Sequence, residues 1–80
     1  MINRMLRGSA VDHETVDSRS TRYDRIKKGL FPTAVKLGPR SVGWPENEVA
    51  AINAARIAGK SEEQIRALVV KLEAARKTLA

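Results

Sequence analysis

The residues of this sequence best equipped for chemistry are cations. Between Arg19 and Lys28 the chain places Arg19, Arg22, Arg25, Lys27 and Lys28, with Asp24 as the single acid, and interleaves them with the hydroxyls of Ser20, Thr21 and Tyr23. Lys36, Arg40 and Ser41 continue the series a few residues on. A guanidinium offers a rigid fork of donors that fits phosphate oxygens or the O6 and N7 edge of guanine, whereas an ammonium is a point charge for phosphate. Hydroxyls add hydrogen bonds to the same oxygens. Such a set binds a polyanion and does not catalyse. The chain has no cysteine and one histidine, which removes thiolate nucleophiles, disulfides, Cys-based zinc sites and paired imidazoles. No nucleophile–base pair or phosphate-cradling glycine loop appears, and no metal or cofactor is implied. His13, between Asp12 and Glu14, reads as a surface residue without a role.

The charge has an address. In 80 residues there are 15 Lys and Arg against 9 Asp and Glu, a net charge of +6. Residues 1–40 hold nine of the cations and four of the acids, net +5, leaving net +1 for residues 41–80. The polyanion-facing surface is therefore expected in the first half, and nucleic acid is a better partner than a membrane. The plain alternative for a charge run is a solvated helix face. No apolar run approaches the roughly 18 residues of a membrane span, and residues 1–7 turn polar too soon for a signal peptide. A cytoplasmic protein on the bacterial nucleoid is the expectation. A chain this short buries only about 60–65% of its unfolded surface, so one small domain with a marginal core is expected.

The elements that position these residues follow from caps and periodicity. Residues 1–8 read as an arm or, at Met5 and Leu6, a short edge strand. Ser9 starts a weak helix over 10–15. Ser18 caps a second helix over 19–28, with Gly29 as its C-terminal stop and Lys27 and Lys28 in the last turn, where cations suit the dipole. Two short helices across a turn at 16–18 make a helix-turn-helix. Pro32 bars further helix. Val35-Lys36-Leu37 and Val42-Gly43-Trp44 alternate as half-buried strands about the turn residues 38–41. That hairpin is expected to turn Val35, Leu37, Val42 and Trp44 inward and to carry Arg40 at its tip. Pro45 opens a third helix ending at Gly59, with Val49 and Ile52 at helical spacing. Ser61 to Gln64 is a capping box for a helix over 62–79, striped by Ile65, Leu68, Val69, Leu72 and Leu79. The fold class expected is mostly α with a small β-hairpin: a winged helix-turn-helix over 9–58 plus an extra C-terminal amphipathic helix over 61–79.

Several stretches then stand out as words. Ser18-Arg19-Ser20-Thr21, Tyr23, Gly29-Leu30-Phe31-Pro32, Val35-Lys36-Leu37-Gly38 and Arg40-Ser41-Val42-Gly43-Trp44 resemble the AlpA family of prophage-type regulators. The resemblance covers about residues 4–58 and leaves the last helix outside. It implies a small bacterial DNA-binding protein, with a winged helix related to the MerR-type and excisionase heads. Such proteins regulate transcription in mobile elements, and relatives serve as excisionases that direct an integrase. Two departures matter. Val16-Asp17 replaces the usual Gly-Leu of the turn, with Val16 expected to fill the leucine's place. Arg22 and Arg25 stand where apolar residues are common, with stems expected to cover the core while their charged heads reach solvent.

On this reading the second helix enters the major groove N-terminus first. Arg19 contacts a base or, equally, a phosphate; Ser20 and Thr21 share that first turn and bond phosphate or a base, and Arg22 is counted in the DNA-binding set. Tyr23 either donates to a phosphate or packs beneath the hairpin. Lys27 and Lys28 hold the backbone from the helix end, and Lys36, Arg40 and Ser41 do so from the wing. Phe31 and Trp44 read as core. The last helix either folds back or pairs with another chain, and the reading leans to a homodimer or a multimer assembled on DNA. Integrase or RNA polymerase is the further partner expected. The rival class is a protein-interaction module, such as an antitoxin or adaptor, docking through helix 62–79. RNA is disfavoured, since two of the three aromatics are assigned to the core.

Overall fold

The computed structural model describes residues 4–78. Its elements are β1 (Met5–Leu6), α1 (Gly8–Thr15), α2 (Arg19–Lys27), β2 (Val35–Gly38), β3 (Ser41–Pro45), α3 (Glu46–Ile57) and α4 (Glu62–Ala75), followed by a 3-10 turn at Arg76–Thr78. Four helices and a small antiparallel sheet, ordered β1-β3-β2, make the chain mostly α, an architecture compatible with a winged helix-turn-helix.

Three helices end in the same way. In each, a residue with positive φ lets the following N–H reach back five residues to an otherwise orphaned carbonyl. After α2, Leu30 bonds Arg25 at 2.8 Å across Gly29 (φ 77°); after α3, Lys60 bonds Ala55 at 3.0 Å across Gly59 (φ 76°). After α1, Asp17 bonds Asp12 at 3.0 Å, but the residue at φ 57° is Val16. Val16 is 91% exposed and does not fill a leucine's place. The tight turn sends it outward and brings Asp17 in, where its carboxylate lies 3.4 Å from both Arg25 and Arg56. An ion triad thus joins the turn to α2 and α3 where an apolar contact was expected. Helix starts follow the sequence signals unevenly. Ser18 accepts from the Thr21 N–H at 3.1 Å and Ser61 with Gln64 closes the full capping box, whereas Ser9 lies inside α1, which begins at Gly8 without a side-chain cap.

Of the two readings of the opening segment, Met5–Leu6 takes the edge strand: Met5 pairs with Pro45 and Leu6 with Trp44. On the other side Val35 pairs with Gly43 and Lys36 with Val42, with an irregularity before Gly38 opposes Ser41. Paired residues share a sheet face, so Leu6, Trp44, Val42 and Lys36 lie on one side and Met5, Gly43 and Val35 on the other. The inward set expected for the hairpin is corrected accordingly. Trp44 is buried, while Leu37 and Val42 are about half exposed, because the hairpin projects beyond the helices that would cover it.

The core is Leu6, Val11, Phe31, Trp44, Val49, Ile52, Ala55, Ile65 and Val69, with Leu68 and Leu72 packed against it. Ile65 and Val69 belong to α4, so the last helix folds back onto its own chain. It ends at Ala75 and gives way to the 3-10 turn, short of the expected residue 79; Leu79 lies outside the described residues. Trp44 anchors the sheet by donating its Nε1–H to the Pro32 carbonyl at 2.9 Å, and its ring tilts against Phe31 with centroids 6.3 Å apart.

Candidate nucleic-acid interface

Along α2, burial sorts the polar residues. Arg19, Ser20, Tyr23 and Lys27 are exposed, and Thr21 is half-buried with its hydroxyl 2.9 Å from that of Ser18. Tyr23 does not pack beneath the hairpin: it stands 54% exposed, with the Arg19 guanidinium 5.6 Å from its ring centroid and that of Arg22 at 5.3 Å. A hydrogen bond from Arg19, then that group's charge, lowers the Tyr23 phenol below its ordinary value, with Arg22 acting in the same direction. One face of α2 therefore presents an arginine and, one turn on, a polarised phenol beside it.

Arg22 is a correction. It is 7% exposed, its Nη1 is 3.2 Å from the Asp12 carboxylate, and its guanidinium lies 5.0 Å from the Trp44 ring centroid. The charged head itself is inside, where it was expected to reach solvent. Its Nε and Nη1 make no hydrogen bond among the described residues, and charge and ring contact hold it instead. Gly8 makes room for it, since a Cβ there would collide with Nη1. Arg22 thereby ties α1, α2 and β3 together at one point. Arg25 is half-buried against Asp17, and Lys28 is exposed but paired with Asp24 at 3.0 Å.

The hairpin tip is the two-residue turn Pro39-Arg40, with Arg40 and Lys36 exposed and Ser41 half-buried. A basic residue that the sequence reading gave no role, Arg7, is exposed next to Gly8. Its only signal was membership of the basic half. Once Arg4 is matched with Glu46, the first-half cations without a carboxylate partner among the described residues are Arg7, Arg19, Lys27, Lys36 and Arg40. Asp12 and Asp17 thus neutralise the buried Arg22 and half-buried Arg25, while Arg19 and Lys27 on α2 and Lys36 and Arg40 on the hairpin stay exposed and unmatched. Among the described residues no group of His, Asp and Glu is arranged to hold a metal ion, and no helix is long and apolar enough to cross a membrane.

Residues 4–56 match the family model described as Prophage CP4-57 regulatory protein (AlpA). The chain is also similar to an uncharacterized protein, ORF88, of Enterobacteria phage P4, with 49% identity over 57 residues. That alignment covers 71% of this chain and 65% of the phage protein, so the chain spans about two thirds of that relative's length. No solved structure matches it significantly.

Proposed function

The chain belongs to the AlpA family of prophage regulatory proteins, and from that premise we propose that it is a sequence-specific double-stranded DNA-binding regulator. The reading helix is α2, placed in the major groove with Arg19, Ser20 and Thr21 leading; Tyr23 and Lys27 reach flanking phosphates. Lys36 and Arg40 of the wing clamp the backbone or the adjacent minor groove, with Ser41 at its base. Lys28 joins them by exchanging Asp24 for phosphate. Arg22 is left out because it is buried. The observation that carries the reading is a set of exposed cations without a carboxylate partner among the described residues, Arg19 and Lys27 on the helix and Lys36 and Arg40 on the wing, while the buried Arg22 and half-buried Arg25 are paired inside the fold. A regulator and an excisionase would use the same interface, beside polymerase in one case and an integrase in the other. The family's description favours the regulator. Its place would be on DNA in the bacterial cytoplasm.

Selection from a pool of randomised duplexes tests this. Bound DNA is expected to converge on a consensus, and Arg19→Ala is expected to relax it at one or two positions while Lys27→Ala weakens all sequences alike. About five phosphate contacts give a log–log salt slope near −4.5. A pool that returns no consensus at about 150 mM salt would overturn specific reading.

A further inference from the structure

The segment that joins the reading helix to the wing, residues 28–34, has little structure of its own, yet it sets where the wing stands relative to α2. It is held from outside, by α4. At its start, Arg66 donates its Nε–H to the Lys28 carbonyl at 2.9 Å, and its side chain lies against Gly29. At its far end, one Glu73 oxygen accepts from both the N–H and the hydroxyl of Thr33, at 2.8 and 2.9 Å. Arg76 completes the grip: it donates to the Thr33 carbonyl at 2.8 Å and forks onto the Glu48 carboxylate, with Nε–H to Oε2 at 2.9 Å. Glu48 is 2% exposed, so Arg76 is pinned to a charge that has no access to water. Hydrogen bonding to Glu48 raises the Arg76 pKa, holding it charged.

All three gripping residues lie beyond residue 56, outside the stretch that matches the family. We infer that Arg66, Glu73 and Arg76 are positioning residues for the DNA interface: the C-terminal helix clasps the connector and sets the wing's stance against the reading helix. This rests on the proposed DNA-binding function, and the two can fail separately. Charged side chains that bond a connector's backbone at its two ends, Arg66 at Lys28 and Glu73 with Arg76 at Thr33, fix its path, whereas apolar packing alone would allow it to slide. With the clasp open, α2 still meets DNA but Lys36 and Arg40 do not meet it at the same time.

The test is the salt dependence of binding to a random-sequence 30-base-pair duplex, because the slope counts phosphate contacts. Glu73→Ala is the variant of choice: Thr33 is exposed, so its freed groups turn to water and the fold survives, as Trp44 fluorescence and a thermal melt will verify. Arg76→Ala is avoided because it strands the buried Glu48 carboxylate. Glu73→Ala is expected to lose about tenfold in affinity and to become shallower in slope by about 1–2, since each lost phosphate contact removes about 0.9. Glu73→Gln keeps an acceptor and is expected to restore both. Replacing Lys36 and Arg40 by Ala should flatten the slope in the parent and add little in the Glu73→Ala background. A merely stabilising role lowers the active fraction and leaves the slope alone. An unchanged slope in Glu73→Ala, or full additivity with the wing variant, overturns the clasp; failure of the parent to bind any duplex at low salt overturns the DNA-binding reading instead.

Discussion

At the scale of single residues, the chain departs most from local rules at Val16 and at the pair Arg19–Tyr23. A non-glycine residue in the left-handed region costs about 1–2 kcal/mol, and a β-branched one is poorly suited to it. Two other helices use Gly29 and Gly59 for the same closure. Val16 is 91% exposed, so removing its side chain forfeits no packing. Val16→Gly is therefore expected to stabilise the fold by about 0.5–1 kcal/mol, after glycine's extra unfolded-state freedom is subtracted. A rise of a few degrees in thermal midpoint follows for a domain this small; a fall would show that the turn is not strained. Tyr23 makes a second prediction, free of overlap because the chain has one tyrosine. Its phenol is lowered chiefly by Arg19, so its absorbance titration should run below that of the urea-denatured chain. The sign is that of an acid whose folded pKa is depressed: its contribution to stability grows as pH rises through the folded pKa and is complete above the unfolded one. Arg19→Ala should move the titration up toward about 10, the ordinary phenol value. An unmoved curve would mean that Arg19 does not face the ring in solution.

At the scale of elements, α4 is the piece whose status the fold changes. Ile65 and Val69 lie in one continuous core with Val49, Ile52 and Trp44, so the elements from β1 to α3 and the extra helix act as a single cooperative unit. Ile65→Ala is expected to cost about 2–5 kcal/mol against a total of about 4–12 for this length. Denaturant melts followed at Trp44 and by far-UV circular dichroism should then shift together. If the helical signal alone shifts, α4 is a separate unit. Most elements were legible in the sequence because their ends are written locally: Ser18, Ser61 with Gln64, Gly29, Gly59 and Pro32 each act within a few residues. The candidate site was legible where exposure follows from helical position, as at Arg19, Ser20 and Lys27, and at the hairpin tip. Arg22 was not. It has the composition of a surface residue, and only the tertiary meeting of Asp12, Gly8 and Trp44 makes an interior place for its charge. The hairpin's inner face also escaped the reading, because alternation cannot say which strand positions the helices reach. The clasp escaped it for a related reason: Thr33 and Glu73 are forty residues apart, and neither alone signals a partner.

At the scale of the whole molecule, the question is how one small chain completes itself. An apolar stripe on a C-terminal helix is the usual seed of a dimer seam, and here the stripe is already spent on its own core. Further anchors hold it there, with Arg76 bonded to Glu48 and Glu73 to Thr33. Freeing α4 for a second chain would bare Ile65 and Val69 and leave Glu48 charged and unpaired, a cost that a two-helix seam must first recover. The large apolar side chains left exposed on α3 and α4 are Ile57 and Val70. They are single residues on different helices, well short of the roughly 800 Å² per partner of a standard interface. Sedimentation equilibrium at micromolar concentration without DNA is therefore expected to return one chain, 8.8 kDa, with no dependence on loading concentration. Multiple copies on DNA would then come from repeated sites, each reached by a separate monomer, and the stoichiometry would follow the number of sites in the duplex. A mass of two chains in free solution would mean that α4 exchanges between protomers. Ile65→Ala should in that case dissociate the dimer, whereas in a monomer it only lowers stability.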